Sequence, residues 1–306
     1  MTYEVVPNHV KQAWAAGVRL RFQRHGFQLK GTVMPPVRIE GDKMYFLRSG
    51  KLAAKKWAGR GHAVERQGSN DDRIEITSDE WDSTYELYDR DKWMGVPGEE
   101  QTRQQQAGWA LGSTADDIIY SKIMAATIPS ENIIGDYSTG LDPYMLKDAE
   151  ARLFNQYTPM GPTGIYMPVP AVQFQRLTTY KVFQNAQWLG VADNARLPAA
   201  QGRTYGAMNV FQGEKDLFNA YVGTAGPSSG ASVRVRAWHQ QCIGAGHVAP
   251  EQMRTEWKRE GDYKRWLVIH TLDGGAIDIE PNGIVEFRLK ADALIESEIM
   301  RTKEVA

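Results

Sequence analysis

Apolar and polar positions along the chain change period several times, and each change marks a different kind of element. Val10, Trp14, Val18 and Phe22 are spaced by four, which predicts a short amphipathic helix or arm, closed by Pro35 and Pro36. The period then drops to two at Val37 and Ile39, and again at Ile74 and Ile76, within VRIEGDKMYFLRSG and RIEITSDEWDSTYELY. Such alternation belongs to half-buried strands, and the two stretches read together as a long hairpin. Residues 49–72 join its arms and carry four glycines with Lys51, Lys55, Lys56, Arg60 and Arg66. A connection this long inside a compact domain is generally functional or mobile.

Helical spacing returns in GEEQTRQQQAGWALGSTADDIIYSKIMAAT, where Ala107, Leu111, Ala115, Ile118, Ile119 and Ala126 fall on related faces. Pro97, Glu99 and Glu100 open it, the glutamates suiting the positive end of a helix dipole. A continuous helix over 99–126 is about 42 Å long, a scaffold element. Gly108 and Gly112 weaken it but permit close approach of another backbone. A second helix starts with Asp142 as N-cap and Pro143 at its first position, burying Leu146, Ala149 and Leu153. AVQFQRLTTYKVFQNAQWLG predicts a third, with Phe174, Leu177 and Tyr180 inward. The Gly- and Ala-rich span 190–232 reads as loops. The remainder, SVRVRAWH and YKRWLVIHTLDGGAIDIEPNGIVEFRLKAD, predicts a meander of about three strands with turns at Asp273–Gly275 and Pro281–Gly283.

Charge changes this picture in the first half only. The 306 residues hold 36 Lys and Arg against 37 Asp and Glu, a net of −1, which argues against a general nucleic-acid coater. Residues 1–66, however, hold 13 basic and 4 acidic groups, and residues 71–150 hold 6 and 18. A basic arm and loop beside an acidic stretch suit a polyanion, or the acidic part of a second copy of the chain. With 42% hydrophobic residues a real core can form, and the single cysteine, Cys242, excludes an intrachain disulfide framework. No apolar run approaches the ~20 residues that cross a bilayer, and the first residues lack a secretory signal pattern, so a soluble protein made in a cytoplasm is expected.

Catalytic motifs fail on context. GPSSG at 226–230 fits a nucleophile-elbow spacing around Ser228, but a proline precedes the serine and a β-like stretch follows, where the elbow needs strand, turn and helix. The six histidines show no close ligand spacing. Asp116 and Asp117, about 100° apart on a helix, read as solvated or interface charges. Gly244-Ala245-Gly246 lacks the βαβ unit and third glycine of a dinucleotide loop, and Cys242 has no base beside it and reads as a small buried residue. No enzyme, metal or cofactor is expected.

The order of parts, together with ELYDRDKW, AGWALGSTADDIIYSKIMAAT, MNVFQGEKDLFNAYVGT and YKRWLVIHTLDGGAIDIEPNGIVEF, resembles the tailed-phage major capsid proteins of the Hong Kong 97 type over nearly the whole chain. The resemblance implies an α+β fold divided into an N-terminal arm (1–36), an extended β-hairpin loop (37–90), a peripheral domain with a long spine helix (91–130), an axial domain (131–244) and a return to the peripheral domain as a β-meander (245–306). It implies hexamers and pentamers of the chain in a virion shell assembled in the host bacterial cytoplasm. Portal and scaffolding proteins and nonspecifically held packaged double-stranded DNA are the implied partners, and decoration or cement proteins are left open. Because fewer than 40 residues precede the hairpin, a separate scaffolding protein is expected.

On that reading the basic tip, with Lys51, Lys55, Lys56, Trp57 and Arg60, lies across an adjacent subunit and meets Asp79, Glu80, Asp82, Glu86 or Asp89. Trp14, Trp81 and Trp93 are further interface candidates. Arg19, Arg21 and Arg24 contact DNA or a neighbour. Two other functions use the same features: a DNA-associated protein acting through its basic arm, and a cellular nanocompartment shell of the same fold.

Overall fold

The computed structural model describes residues 24–40, 42–50, 71–88, 99–156, 158, 164–180, 203–219, 221–223, 232–260 and 265–291. Strands β1 (Arg38–Glu40), β2 (Lys43–Arg48) and β3 (Asp72–Thr77) form an antiparallel sheet. β2 and β3 pair from Lys43↔Thr77 to Arg48↔Asp72, so the expected hairpin exists and 49–71 connects its arms. The pleat places Met44, Phe46, Ile74 and Ile76 on one face, where they cluster with Ile279.

The hairpin stops at Ser78. β4 (Asp79–Tyr88), expected as a continuation of the returning arm, pairs instead with β13 (Arg265–Asp278) along its full length. β12 (Arg254–Glu260) and β11 (Ile243–Gly246) also pair with β13. Asp273–Gly275, expected as a turn, lies inside β13. The glycines there answer close packing: a Cβ on Gly274 comes within 3.2 Å of Ile118 Cδ1, and one on Gly275 within 2.9 Å of Met44 Cε. Pro281–Gly283 does form a turn, of 3-10 type.

The long helix α1 runs Glu99–Ala125, about 40 Å. Ala107, Leu111, Ala115, Ile119 and Ile123 form its buried stripe, with Ala126 buried just beyond it and Ile118 partly so. α2 (Pro143–Asn155) begins as expected: Asp142 accepts a hydrogen bond from Met145 N at 2.8 Å, and Leu146, Ala149 and Leu153 are buried. α3 (Ala171–Thr179) buries Phe174 and Leu177, while Tyr180 is only partly covered as its C-cap.

While α1 packs chiefly on the sheet of β13 and β4, a third, mixed sheet of seven strands carries α2 and α3. Its strands are β5 (Ile133–Ile134), β6 (Ile165–Val169), β7 (Arg203–Tyr205), β8 (Met208–Gln212), β9 (Val222–Gly223), β10 (Ser232–His239) and β14 (Ile284–Lys290), in the order β5-β14-β10-β6-β8-β7 with β9 on β10. The helix α4 (Lys215–Asn219) follows β8. The loop expectation for 190–232 is thus corrected within 203–223: Met208–Phe211 is a strand buried on both faces, a pattern without alternation that its Gly-rich flanks disguise. The meander is corrected too, because β10 and β14 pair with each other in this sheet while β13 belongs to another.

Candidate assembly surfaces

β4 is where the expected acidic contact residues can be placed. Leu87, Val268, His270 and Leu272 are buried on the face toward α1. Glu80, Asp82 and Glu86, two or four residues apart, therefore share the opposite, exposed face, and Asp79 stands on the helix side at the strand's start. Glu86 is already engaged, by Arg265 at 2.8 Å and by the Tyr88 hydroxyl, which donates at 3.2 Å. Asp82 accepts from Thr84 Oγ1 at 3.0 Å. Trp81 is 42% exposed on the same strand. Lys51, Lys55, Lys56, Trp57, Arg60 and Asp89 lie outside the described residues, as do Trp14 and Trp93.

Arg24 differs from the expectation placed on it, while Arg19 and Arg21 lie outside the described residues. Its side chain is 10% exposed, and its guanidinium lies 2.6 Å from Asp117, 2.8 Å from Glu214 and 3.9 Å from Asp116. It is therefore spent within its own chain rather than displayed to DNA or a neighbour. Asp116 also departs from the reading of a solvated charge: it is buried and accepts backbone N–H bonds from Gln28 at 3.0 Å and Leu29 at 2.9 Å. Burial pushes its carboxyl up to about 6, against the lowering effect of those two bonds and of Arg24.

The chain enters this site through a tight turn. Gly26 and Phe27 have φ of +72° and +56°, and Phe27 N donates to Gly112 O at 3.1 Å. A Cβ on Gly112 would lie 2.6 Å from the Phe27 ring, so Gly112 does admit a second backbone, as its place in the helix suggested. Gly108 does not play that part; among the described residues only Met253 Cε, at 3.7 Å, comes near.

A charge pair was not anticipated. Arg236 on β10 donates through Nη2 to Glu286 on β14 at 2.8 Å and through Nη1 to the carbonyls of Ile123 and Ala126. The available signal was an arginine alternating with valines in SVRVRAWH, a strand too apolar to spend a charge on solvent. On α2 the exposed charges neutralise one another, Lys147 with Glu150 and Arg152 with Asp148, leaving Tyr144 at 83% and Phe154 at 68% as its exposed aromatic groups.

The chemical candidates resolve simply. Cys242 is buried, and burial pushes its thiol up to about 12. Gly244–Gly246 is part of β11, where the Phe46 ring packs on Gly244. Ser228 lies outside the described residues. Among the described residues no helix is long and apolar enough to cross a membrane.

A sequence profile of a family described as phage capsid protein matches residues 6–290. The capsid of Ralstonia phage GP4 is similar in structure, at 12% identity over 93% of this chain and 96% of that one, with a TM-score of 0.71. The cyanophage Pam1 capsid is similar at 11% identity over 95% and 99%, with a TM-score of 0.67. The holo-SrpI encapsulin complex of Synechococcus elongatus PCC 7942 is similar at 7% identity over 96% and 100%, with a TM-score of 0.60. No curated protein matches the chain in sequence. These likenesses establish the fold, an α+β fold of the Hong Kong 97 type. The profile match, spanning nearly the whole chain, establishes more: the chain belongs to the phage capsid protein family.

Proposed function

We propose that the protein is the major capsid protein of a tailed phage, whose hexamers and pentamers close an icosahedral head around double-stranded DNA. The profile match over residues 6–290 carries this reading. In this reading the hairpin of 37–78 acts as the extended loop, α1 with the sheet of β4, β11, β12 and β13 as the peripheral domain, and the seven-stranded sheet with α2 and α3 as the axial domain. Portal and scaffolding proteins act with it in the host bacterial cytoplasm, and any contact with packaged DNA is electrostatic and nonspecific.

The inter-subunit contact we favour sets Lys51, Lys55, Lys56 and Arg60 of one copy against Glu80, Asp82 and Asp79 of the next. What supports it is charge complementarity and the shared exposed face of Glu80 and Asp82 on β4. Each exposed pair contributes under about 1 kcal/mol, so repetition around the shell and apolar burial at Trp57 and Trp81 supply most of the adhesion.

Electron microscopy with light scattering, on the chain expressed alone and with its neighbouring genes, tests the reading. Closed shells or hexamer sheets support it, and a stable monomer under both conditions defeats it. The encapsulin likeness favours a second reading, a cellular nanocompartment shell of the same fold. Particle contents separate the two: DNA with a portal vertex, or a cargo protein. A DNA-associated protein acting through its arm would instead show salt-dependent duplex binding by the dispersed chain, and the internal engagement of Arg24 argues against it.

A further inference from the structure

The segment that enters the body at Arg24 is held more tightly than a surface strand requires. His25 stacks on Trp109 with ring centroids 4.4 Å apart. His25 N and Gln28 Nε2 both donate to Glu214 Oε1 at 3.2 Å. Asp116 takes the N–H groups of Gln28 and Leu29, and the Gly26-Phe27 turn seats on Gly112. Beyond it, Trp238 Nε1 donates to Thr32 O at 2.9 Å, and Met34 N to Ile243 O at 2.8 Å. One short segment is thus fastened in turn to α1, to the loop before α4, and to strands of both larger sheets.

The charges at its first residue are unequal. Three carboxylates, Asp116, Asp117 and Glu214, lie within 4 Å of one guanidinium. Removing that guanidinium leaves like charges facing one another at the entry point, so the node closes only with Arg24 in it.

We propose that Arg24 is a positioning residue for shell assembly: by closing on Asp116, Asp117 and Glu214 it fixes the place and direction of residues 24–29, the root from which the N-terminal part of the chain continues. The proposal rests on the capsid reading above. A segment with a fixed root presents itself to a neighbouring copy at a raised effective concentration, without the entropic cost of ordering its root at every contact. Across a closed shell that advantage repeats in every subunit.

The test uses the full chain, as wild type, Arg24→Ala, Arg24→Lys and the double variant Asp117→Asn/Glu214→Gln. Melting temperature, amide hydrogen exchange in peptides covering residues 24–29, and particle yield by light scattering and microscopy are read together. Wild type, expressed with its neighbouring genes as each variant is, must form particles; if it does not, the capsid reading itself fails. We expect Arg24→Ala to keep its melting temperature within a few degrees, to exchange at least tenfold faster over 24–29, and to lose at least tenfold in particle yield, with partial recovery in Arg24→Lys. If Arg24→Ala melts far lower, the double variant decides, because it weakens the node from its solvent side and leaves Asp116 on its backbone partners. Normal particle yield from a variant with loosened residues 24–29 overturns the proposal, and so does unchanged exchange there.

Discussion

Arg236 and Glu286 stand opposite one another on β10 and β14, both buried, with the guanidinium 2.8 Å from the carboxylate. The same guanidinium reaches Ile123 O at 2.6 Å and Ala126 O at 2.8 Å, at the end of α1 where the helix dipole is negative. A single buried cation therefore closes the long helix and ties it to the seven-stranded sheet. Arg236→Met should cost about 3–5 kcal/mol in denaturant unfolding, because it leaves two buried carbonyls unpaired and the buried Glu286 carboxylate with Arg288 alone. Arg236→Met/Glu286→Leu should recover only part of that loss, since the carbonyls stay unpaired. Full recovery would show that the helix end is satisfied in another way.

Two buried carboxyls give opposite pH dependence. Burial raises Glu286, but hydrogen bonds and charge from Arg236 and Arg288 outweigh it and hold the group below its ordinary range. Its folded value lies below its unfolded one, so its contribution is present above about pH 5 and is lost as pH falls through the folded value. Asp116 is raised from 3.8 to about 6, so its contribution is greatest below 3.8 and is lost as pH rises through 6. Unfolding free energies measured from pH 3 to 8 should show Glu286→Gln losing the acid-side fall, and Asp116→Asn losing the decline between about pH 4 and 6. Curves parallel to wild type would remove both assignments.

The two glycines of α1 should respond with opposite sign. Gly108→Ala places its Cβ at ordinary distance from Met253 and gains roughly 0.5–1 kcal/mol of helix propensity. Gly112→Ala gains the same propensity but drives a Cβ to 2.6 Å from the Phe27 ring and 3.0 Å from His25 O. A net loss of about 1–3 kcal/mol is expected for it from overpacking. Thermal melts of the two variants decide the matter.

Charge reversal probes the inter-subunit contact. Lys55→Glu/Lys56→Glu should stop particle assembly, and adding Glu80→Lys/Asp82→Lys should restore it in part. Normal particles from the first variant, seen by microscopy, would remove the contact from the proposal.

Cys242 should be inert in the folded chain. With its thiol buried and pushed up to about 12, a maleimide should label it only on the timescale of unfolding. Rapid labelling of native protein would show that the 3-10 turn Gln240–Cys242 opens locally.

Several elements followed from the sequence alone because their causes are local. Asp142 and Pro143 specify a helix start through one side-chain acceptor and one fixed φ, and the Leu111, Ala115, Ile119 spacing specifies the buried stripe of α1. Alternation at Ile74 and Ile76 likewise specifies the core face of β3. Tertiary structure decided whatever depends on a partner distant in sequence. It sent β4 out of the hairpin to β13, because strand pairing is a choice among edges that alternation does not name. It turned Asp273–Gly275 from an apparent turn into strand, because those glycines admit Ile118 and Met44 rather than bend the chain. It placed Asp116 in the interior and Arg24 upon it, 92 positions apart, since a carboxylate on a helix is solvated or buried according to what packs over it.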